Sequence, residues 1–221
     1  LAHRQALPKE AFFSLADLVE ATTKDDGQGR GLVPVAALSY PWLTKDHPDP
    51  RGANLARVAR ALKALLSHPR ISRLGVFWDF GSLHQHPDPP NGAMRTVEQN
   101  VLFKQGLSCL GTLYSHKYVW VLRLTSFPDG HKAEDQAKGT NVAKYFDRGW
   151  CFTEASWSSL TKASRLSLDL DVPRIAGPWV ARVCCLISLL LLHLDLKVLA
   201  CLLGDIQQPF ARDREQGRAS K

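Results

Sequence analysis

Leu32-Val33-Pro34-Val35-Ala36-Ala37-Leu38-Ser39-Tyr40 is apolar almost throughout and shows no alternation of apolar and polar positions. A strand with one wet face alternates with period two, whereas a strand buried on both faces does not. The stretch is therefore read as a strand covered on both sides. Two further runs have the same character. Leu74-Gly75-Val76-Phe77-Trp78-Asp79 ends in an acid, and Tyr118-Val119-Trp120-Val121-Leu122 is the centre of residues 117–124. A fourth strand is expected over 165–170.

Helical patterns separate these runs. Asn54 is read as the cap of a helix reaching about Ser67, with Leu55, Val58, Leu62, Leu65 and Leu66 facing inward. Residues 95–115 read as one helix, because Phe103, Leu107, Leu110 and Tyr114 recur at helical spacing. Another helix is expected from Trp150 to about Lys162. Ahead of them, Phe12, Phe13, Leu15, Leu18 and Val19 follow Pro8 and suggest a short amphipathic helix within 1–20. Asp25-Asp26-Gly27-Gln28-Gly29-Arg30-Gly31 lacks the spacing and the Lys-Ser/Thr ending of a phosphate-binding loop, and is read as a connector. Strands alternating with helices predict an α/β fold, a parallel sheet flanked by helices. The expected organisation is an N-terminal helix and connector over 1–31, the α/β domain over 32–172, an apolar helical segment over 173–206 and a polar tail over 207–221.

The chain has 221 residues, enough for one good-sized domain with an appendage, and a formal net charge of +7. The lysines and arginines are scattered, with no basic run or arginine-rich arm, so solubility explains the charge and no specific nucleic acid is expected. Five cysteines, an odd number with no CxxC pair, point to reduced thiols in the cytoplasm rather than to disulfides or a zinc site. No secretory signal is recognised at the start. The chain begins at Leu1 and has one methionine, Met94, so a fragment of a longer protein is expected. His84 and His86 stand two apart in a loop and are read as surface histidines, and no metal is expected. The leucine-rich residues 179–203 contain an uncharged core, 183–192, too short to span a bilayer. They are read as a buried or partner-binding helix, with membrane association as the alternative.

The chemistry-bearing stretch is Arg148-Gly149-Trp150-Cys151-Phe152-Thr153-Glu154. On a helix, Trp150, Glu154 and Trp157 share a face at i, i+4 and i+7. An acid between two indoles is poorly solvated, and its pKa rises. The plainer alternative is a solvent-facing glutamate on a helix whose tryptophans pack inward. In an open parallel sheet, ligands sit beyond the carboxyl ends of the strands. Tyr40-Pro41-Trp42, Asp79-Phe80-Gly81 and the loop after Leu124 lie at such ends, and Glu154 opens a helix near the same edge.

These stretches resemble those of heterokaryon-incompatibility (HET) domains. Ala37-Leu38-Ser39-Tyr40-Pro41-Trp42 looks like their first-strand motif. Phe77-Trp78-Asp79 with Leu83-His84-Gln85 resembles their "W-D-x-x-x-x-x-Q" segment. Leu110-Gly111-Thr112-Leu113-Tyr114-Ser115 is similar to "M-x-x-I-Y-x-x-A", and residues 148–154 to "R-x-W-x-x-Q-E". HET domains are distant relatives of Toll/interleukin-receptor (TIR) domains, whose "W-C-x-x-E" helix Trp150-Cys151 and Glu154 match. The resemblance covers about 32–170. It departs at Gly81-Ser82-Leu83-His84, where HET domains carry a Cys-Ile-Asn-like turn, and at the long loop 125–144.

The resemblance implies a flavodoxin/TIR-like sheet and a signalling domain that self-associates or hydrolyses NAD. Glu154 would then be the catalytic carboxylate, and NAD or a related nucleotide a substrate rather than a cofactor. Cleavage would pass through an oxocarbenium-like ribose, which a carboxylate stabilises. Trp42 or Trp150 would stack on a base. Arg51, Arg95 or Arg148 would hold the pyrophosphate. Tyr40 and Asp79 complete the binding rim, Asp79 as a second acid or as a strand-end residue capping a turn.

Overall fold

The computed structural model describes residues 1–23, 33–67, 69, 71, 73–88 and 91–172. The connector 25–31, the apolar segment 173–206 and the tail 207–221 lie outside the described residues, apart from which the domain reads as one α/β unit. Its strands are β1 (Val35–Ser39), β2 (Gly75–Phe77), β3 (Trp120–Arg123) and β4 (Ser167–Asp169). They form a four-stranded, all-parallel sheet in the order β2-β1-β3-β4. This is the strand order of flavodoxin-type doubly wound sheets. Helices flank the sheet: α1 (Leu15–Thr23), α2 (Ala53–Leu66), α3 (Asp79–Ser82), α4 (Val97–Ser108), α5 (Leu110–Ser115) and α6 (Gly149–Thr161).

Every residue of β1 is buried, as expected of a central strand with a neighbour on each side. Alternate side chains leave β1 toward two different cores. Val35 and Ala37 join Val119 and Val121 beneath Leu18 of α1 and Leu110, Leu113 and Tyr114 of α5. Ala36 and Leu38 join Trp120 and Leu122 beneath Val58, Leu62 and Leu65 of α2. The two alanines leave room for both helix layers to close on the strand. Tyr114, 1% exposed, donates its hydroxyl to the Leu38 carbonyl at 2.5 Å and so pins α5 to the end of β1.

Several local expectations change. The first helix starts later than its apolar residues implied: two 3-10 turns, Arg4–Ala6 and Lys9–Ala11, precede α1. Phe13 therefore lies before α1 and packs against the first core cluster. Asn54 does not cap α2. The cap is Gly52, in the left-handed region at φ 71°, and the Asp49 carboxylate accepts the Leu55 N–H at 2.7 Å. Leu55 and Leu66 are 41% and 46% exposed, because the sheet takes only the stripe through Val58, Leu62 and Leu65. The expected single helix over 95–115 is two. At Cys109 the N–H reaches the Gly106 carbonyl, a tightened last turn that ends α4 and re-aims α5 at the sheet. Thr96 and Gln99 start α4 with a reciprocal capping box.

Among the described residues no helix is long and apolar enough to cross a membrane. The leucine-rich stretch 179–203 lies outside that statement.

Candidate functional site

In this strand order the chain reverses direction of travel at β1, and the crevice of such a sheet opens beyond the ends of β1 and β3. A cleft of about 260 Å³ lies there, lined by Pro41 after β1, by Thr125, Ser126 and Phe127 after β3, and by Lys144 and Tyr145. Behind the cleft wall is a chain of hydroxyls leading to Glu154. The Ser39 hydroxyl donates to Glu154 Oε2 at 2.6 Å, and Ser39 and the Tyr145 hydroxyl are 2.6 Å apart. Ser39 has one proton to give, so Tyr145 is the donor to Ser39. The order is Tyr145 to Ser39 to Glu154, from cleft wall to interior. The carboxyl itself does not line the cleft.

Burial pushes the Glu154 carboxyl up to about 7, and the nearby Asp79 charge acts in the same direction against the Ser39 hydrogen bond. The Tyr114 hydroxyl also lies against this carboxyl. Like Ser39 it acts to lower the Glu154 pKa, against the burial and the Asp79 charge. The raised pKa agrees with the sequence reading, but its source differs. Trp150 is 59% exposed, and Trp157 packs into the α1/α5 core across from Gly111. Tyrosines and the end of β1 enclose the acid rather than a pair of indoles.

Asp79 opens α3, and three donors converge on it. Trp42 Nε1 reaches one oxygen at 2.9 Å, and the Tyr40 hydroxyl and the Phe80 N–H reach the other. Burial raises its pKa even against these donors. Asp79 stands at the first position of α3, which Trp78 caps, and anchors the Tyr40-Pro41-Trp42 loop. Tyr40 is 6% exposed, and Trp42 is half-buried with its ring edge-on to Phe80 at 5.7 Å.

Arg148 is 8% exposed. Its guanidinium donates to the carbonyls of Ala143 (2.8 Å), Trp42 (2.9 Å) and Asn141 (2.5 Å), and it lies over the Phe127 ring. It ties the loop after β1 to the long loop before α6. Arg95 is similarly engaged with His84 O and Asn100 Oδ1 and sits over Phe103, while Arg51 is exposed. His84 and His86 are half-buried rather than on the open surface. His86 accepts the Arg95 N–H, and among the described residues no group of three or more His, Cys, Asp or Glu side chains converges.

Tyr40, Trp42, Asp79, Arg148 and Glu154 thus gather behind one rim, and Trp150 stands apart in solvent. Ser39, Tyr145 and Lys144 were not singled out as site residues from the sequence. A polar residue ending the apolar first strand was the available signal for Ser39. Nothing local marks Tyr145, because its role depends on an oxygen 106 positions away in the chain.

Cys151, 4% exposed, packs with Tyr145 and Ala155. Burial, then the Glu154 charge, pushes its thiol up to about 12. A thiol rather than a thiolate is a poor nucleophile. Iodoacetamide at pH 8 is expected to leave Cys151 unmodified in the native protein and to modify it after denaturation. Half-buried Cys109 reacts before Cys151, as peptide mass spectrometry would show.

No protein-family model, curated protein or solved structure matches this chain.

Proposed function

We propose that the domain hydrolyses the nicotinamide–ribose bond of NAD or a related nucleotide, with Glu154 as the catalytic carboxylate. The observation that carries this reading is an acid, Glu154, drawn up to about 7 and held behind the crevice at the carboxyl ends of a parallel sheet. In the reaction the bond from ribose C1′ to the nicotinamide nitrogen breaks, and its electron pair leaves with nicotinamide. The ribose becomes cation-like, and water supplies the new oxygen at C1′. An ionised Glu154 beside that carbon stabilises the charge. Exposed Lys144 at the cleft supplies a cation for a phosphate. The Tyr145–Ser39 pair stands between cleft and acid, so the reaction requires it to move aside. The resemblance of residues 148–154 to the TIR "W-C-x-x-E" helix supports the same assignment.

Nicotinamide release by the full chain, beside Glu154→Gln, tests the reading. The parent is expected to turn over NAD faster as pH rises through about 7, because the acid must be ionised. The variant is expected to lose about 100-fold or more. Equal release from both would end the proposal.

A second reading is a non-enzymatic interaction module. It is favoured by exposed apolar side chains in and before α6: Phe146, Phe152 and Leu160, which line one groove and are 55%, 57% and 84% exposed, and Trp150, 59% exposed. Such a module would release no nicotinamide at any concentration.

A further inference from the structure

One tripeptide, Thr125-Ser126-Phe127, forms the β3 side of the cleft wall. Groups outside the cleft hold it in place. The Thr125 hydroxyl donates to the Asp169 carboxylate at 2.9 Å, and the Ser126 N–H donates to Asp171 at 2.6 Å. Arg57 of α2 reaches Ser126 with both arms of its guanidinium. Nη1 donates to the Ser126 carbonyl at 3.1 Å and Nη2 to its hydroxyl oxygen at 3.2 Å. Arg57 is also paired with Asp171, and neither of these two residues lines the cleft.

This arrangement fixes what Ser126 can offer. A guanidinium only donates, so the Ser126 oxygen accepts from Arg57 and its own proton must go elsewhere. Among the described residues no protein acceptor takes that proton. Ser126 is exposed and lines the cleft, so an occupant can accept it. The carboxylates of Asp169 and Asp171 are engaged by Thr125, Ser126 and Arg57. The exposed Lys144 ammonium is a second donor in the same cleft. Two further cations flank this loop: burial, then the charges of Arg148 and Arg51, holds the His131 pKa down. The His131 ring lies tilted against Phe127 at 4.7 Å. A cleft that presents donors and is flanked by cations selects an occupant rich in acceptors and negative charge.

We propose that Ser126 joins Lys144 in a subsite for the phosphate groups of a nucleotide, and that Arg57 is the positioning residue that turns the Ser126 hydroxyl toward them. The inference rests on the nucleotide reading of this cleft and says which part of the nucleotide the cleft takes. The size of the cleft agrees. A cavity of about 150 Å³ is filled by a single benzene ring. At about 260 Å³ the cleft takes the phosphates with part of a ribose, not a whole dinucleotide.

Calorimetric titration of the full chain with ADP-ribose and with inorganic pyrophosphate tests it. ADP-ribose is expected to bind about 10-fold or more tightly than pyrophosphate, because sugar and base add contacts. Lys144→Ala and Ser126→Ala are expected to weaken ADP-ribose by about 10-fold and about fivefold. Lys104→Ala, at an exposed lysine of α4, is expected to change nothing. Arg57→Lys keeps a charge beside Asp171 but gives up the fork on Ser126, and about threefold weaker binding is expected. Since Arg57 acts through Ser126, Arg57→Lys adds no further loss in the Ser126→Ala background. Additive losses would remove Arg57 from the positioning role. Equal losses from Lys144→Ala and Lys104→Ala would mean diffuse attraction to a chain of charge +7 and would overturn the subsite. Absence of ADP-ribose binding would overturn it too, and equal affinity for the two anions would overturn its assignment to a nucleotide. Nicotinamide release is read separately. ADP-ribose bound without release keeps the subsite and ends the hydrolase reading, whereas release unaffected by Lys144→Ala and Ser126→Ala ends the subsite alone.

Discussion

At pH 8 the Glu154→Gln protein is expected to be more stable than the parent, by up to about 3 kcal/mol, and at pH 4 the two are expected to be equal. The folded carboxyl titrates at about 7, against an ordinary glutamate value of 4.5. Below pH 4.5 both the folded and the unfolded chain hold the proton, and burial carries no penalty. Between 4.5 and about 7 the folded chain keeps a proton that the unfolded chain has lost, so stability falls as pH rises. Above 7 the penalty is complete and constant. A glutamine has no charge to desolvate, and its amide oxygen can still accept the Ser39 hydroxyl. For a chain of this length the gain at pH 8 corresponds to a rise in Tm of roughly 6–12 °C. Melting curves of both proteins at pH 4, 6 and 8 check it. A gap of the same size at every pH would mean that the carboxyl is not desolvated. Stability gained with activity lost is the usual signature of a strained catalytic acid, so this measurement bears on the proposed hydrolysis as well.

Arg148→Ala is expected to cost about 3 kcal/mol or more. Hydrogen bonds from a charged donor contribute about 1.5–3 kcal/mol each, and Arg148 makes three to backbone carbonyls. The sum is not reached, because Asn141 is exposed and its carbonyl can turn to water. The Trp42 carbonyl has less access to solvent. Arg148→Lys recovers about a third, since an ammonium cannot span three acceptors in a fork. Denaturant unfolding gives the magnitude. Hydrogen exchange locates it: amides in 141–147 and in the 42–48 loop are expected to lose protection together, while those of β3 keep theirs. Loss confined to one of the two loops would mean that Arg148 does not couple them. The resemblance offered this arginine, beside Arg51 and Arg95, for a pyrophosphate. In the fold its donors are spent on backbone carbonyls, whereas Lys144 lines the cleft.

These residues show where reading a chain succeeds. Strands β1 and β3 were legible because a strand buried on both faces must be apolar at every position, and 32–40 and 117–124 are such runs; 74–79 is apolar too, but β2 lies at the sheet edge and is only half-buried. The alternation of strands with helices then dictates parallel pairing, because a parallel crossover needs a helix-length connection. Glu154 was legible as an unusual acid, since few charges sit in so aromatic a stretch.

What surrounds Glu154 was decided only by the tertiary structure. Ser39, Tyr114 and Tyr145 come from β1, α5 and the loop before α6, and no local pattern records that their oxygens meet. The same holds for Arg148, which reads as a free cation until the loops fold over it. Helix ends belong to this second class too. The break at Cys109 arises because α5 must turn Leu110, Leu113 and Tyr114 onto the sheet, a demand from neighbours that periodicity along 95–115 does not contain. Sequence by itself determined which segments must be buried, because burial is written in composition and spacing. Which groups face one another beyond the strand ends was decided by strand order and loop closure, since those contacts join residues far apart in the chain.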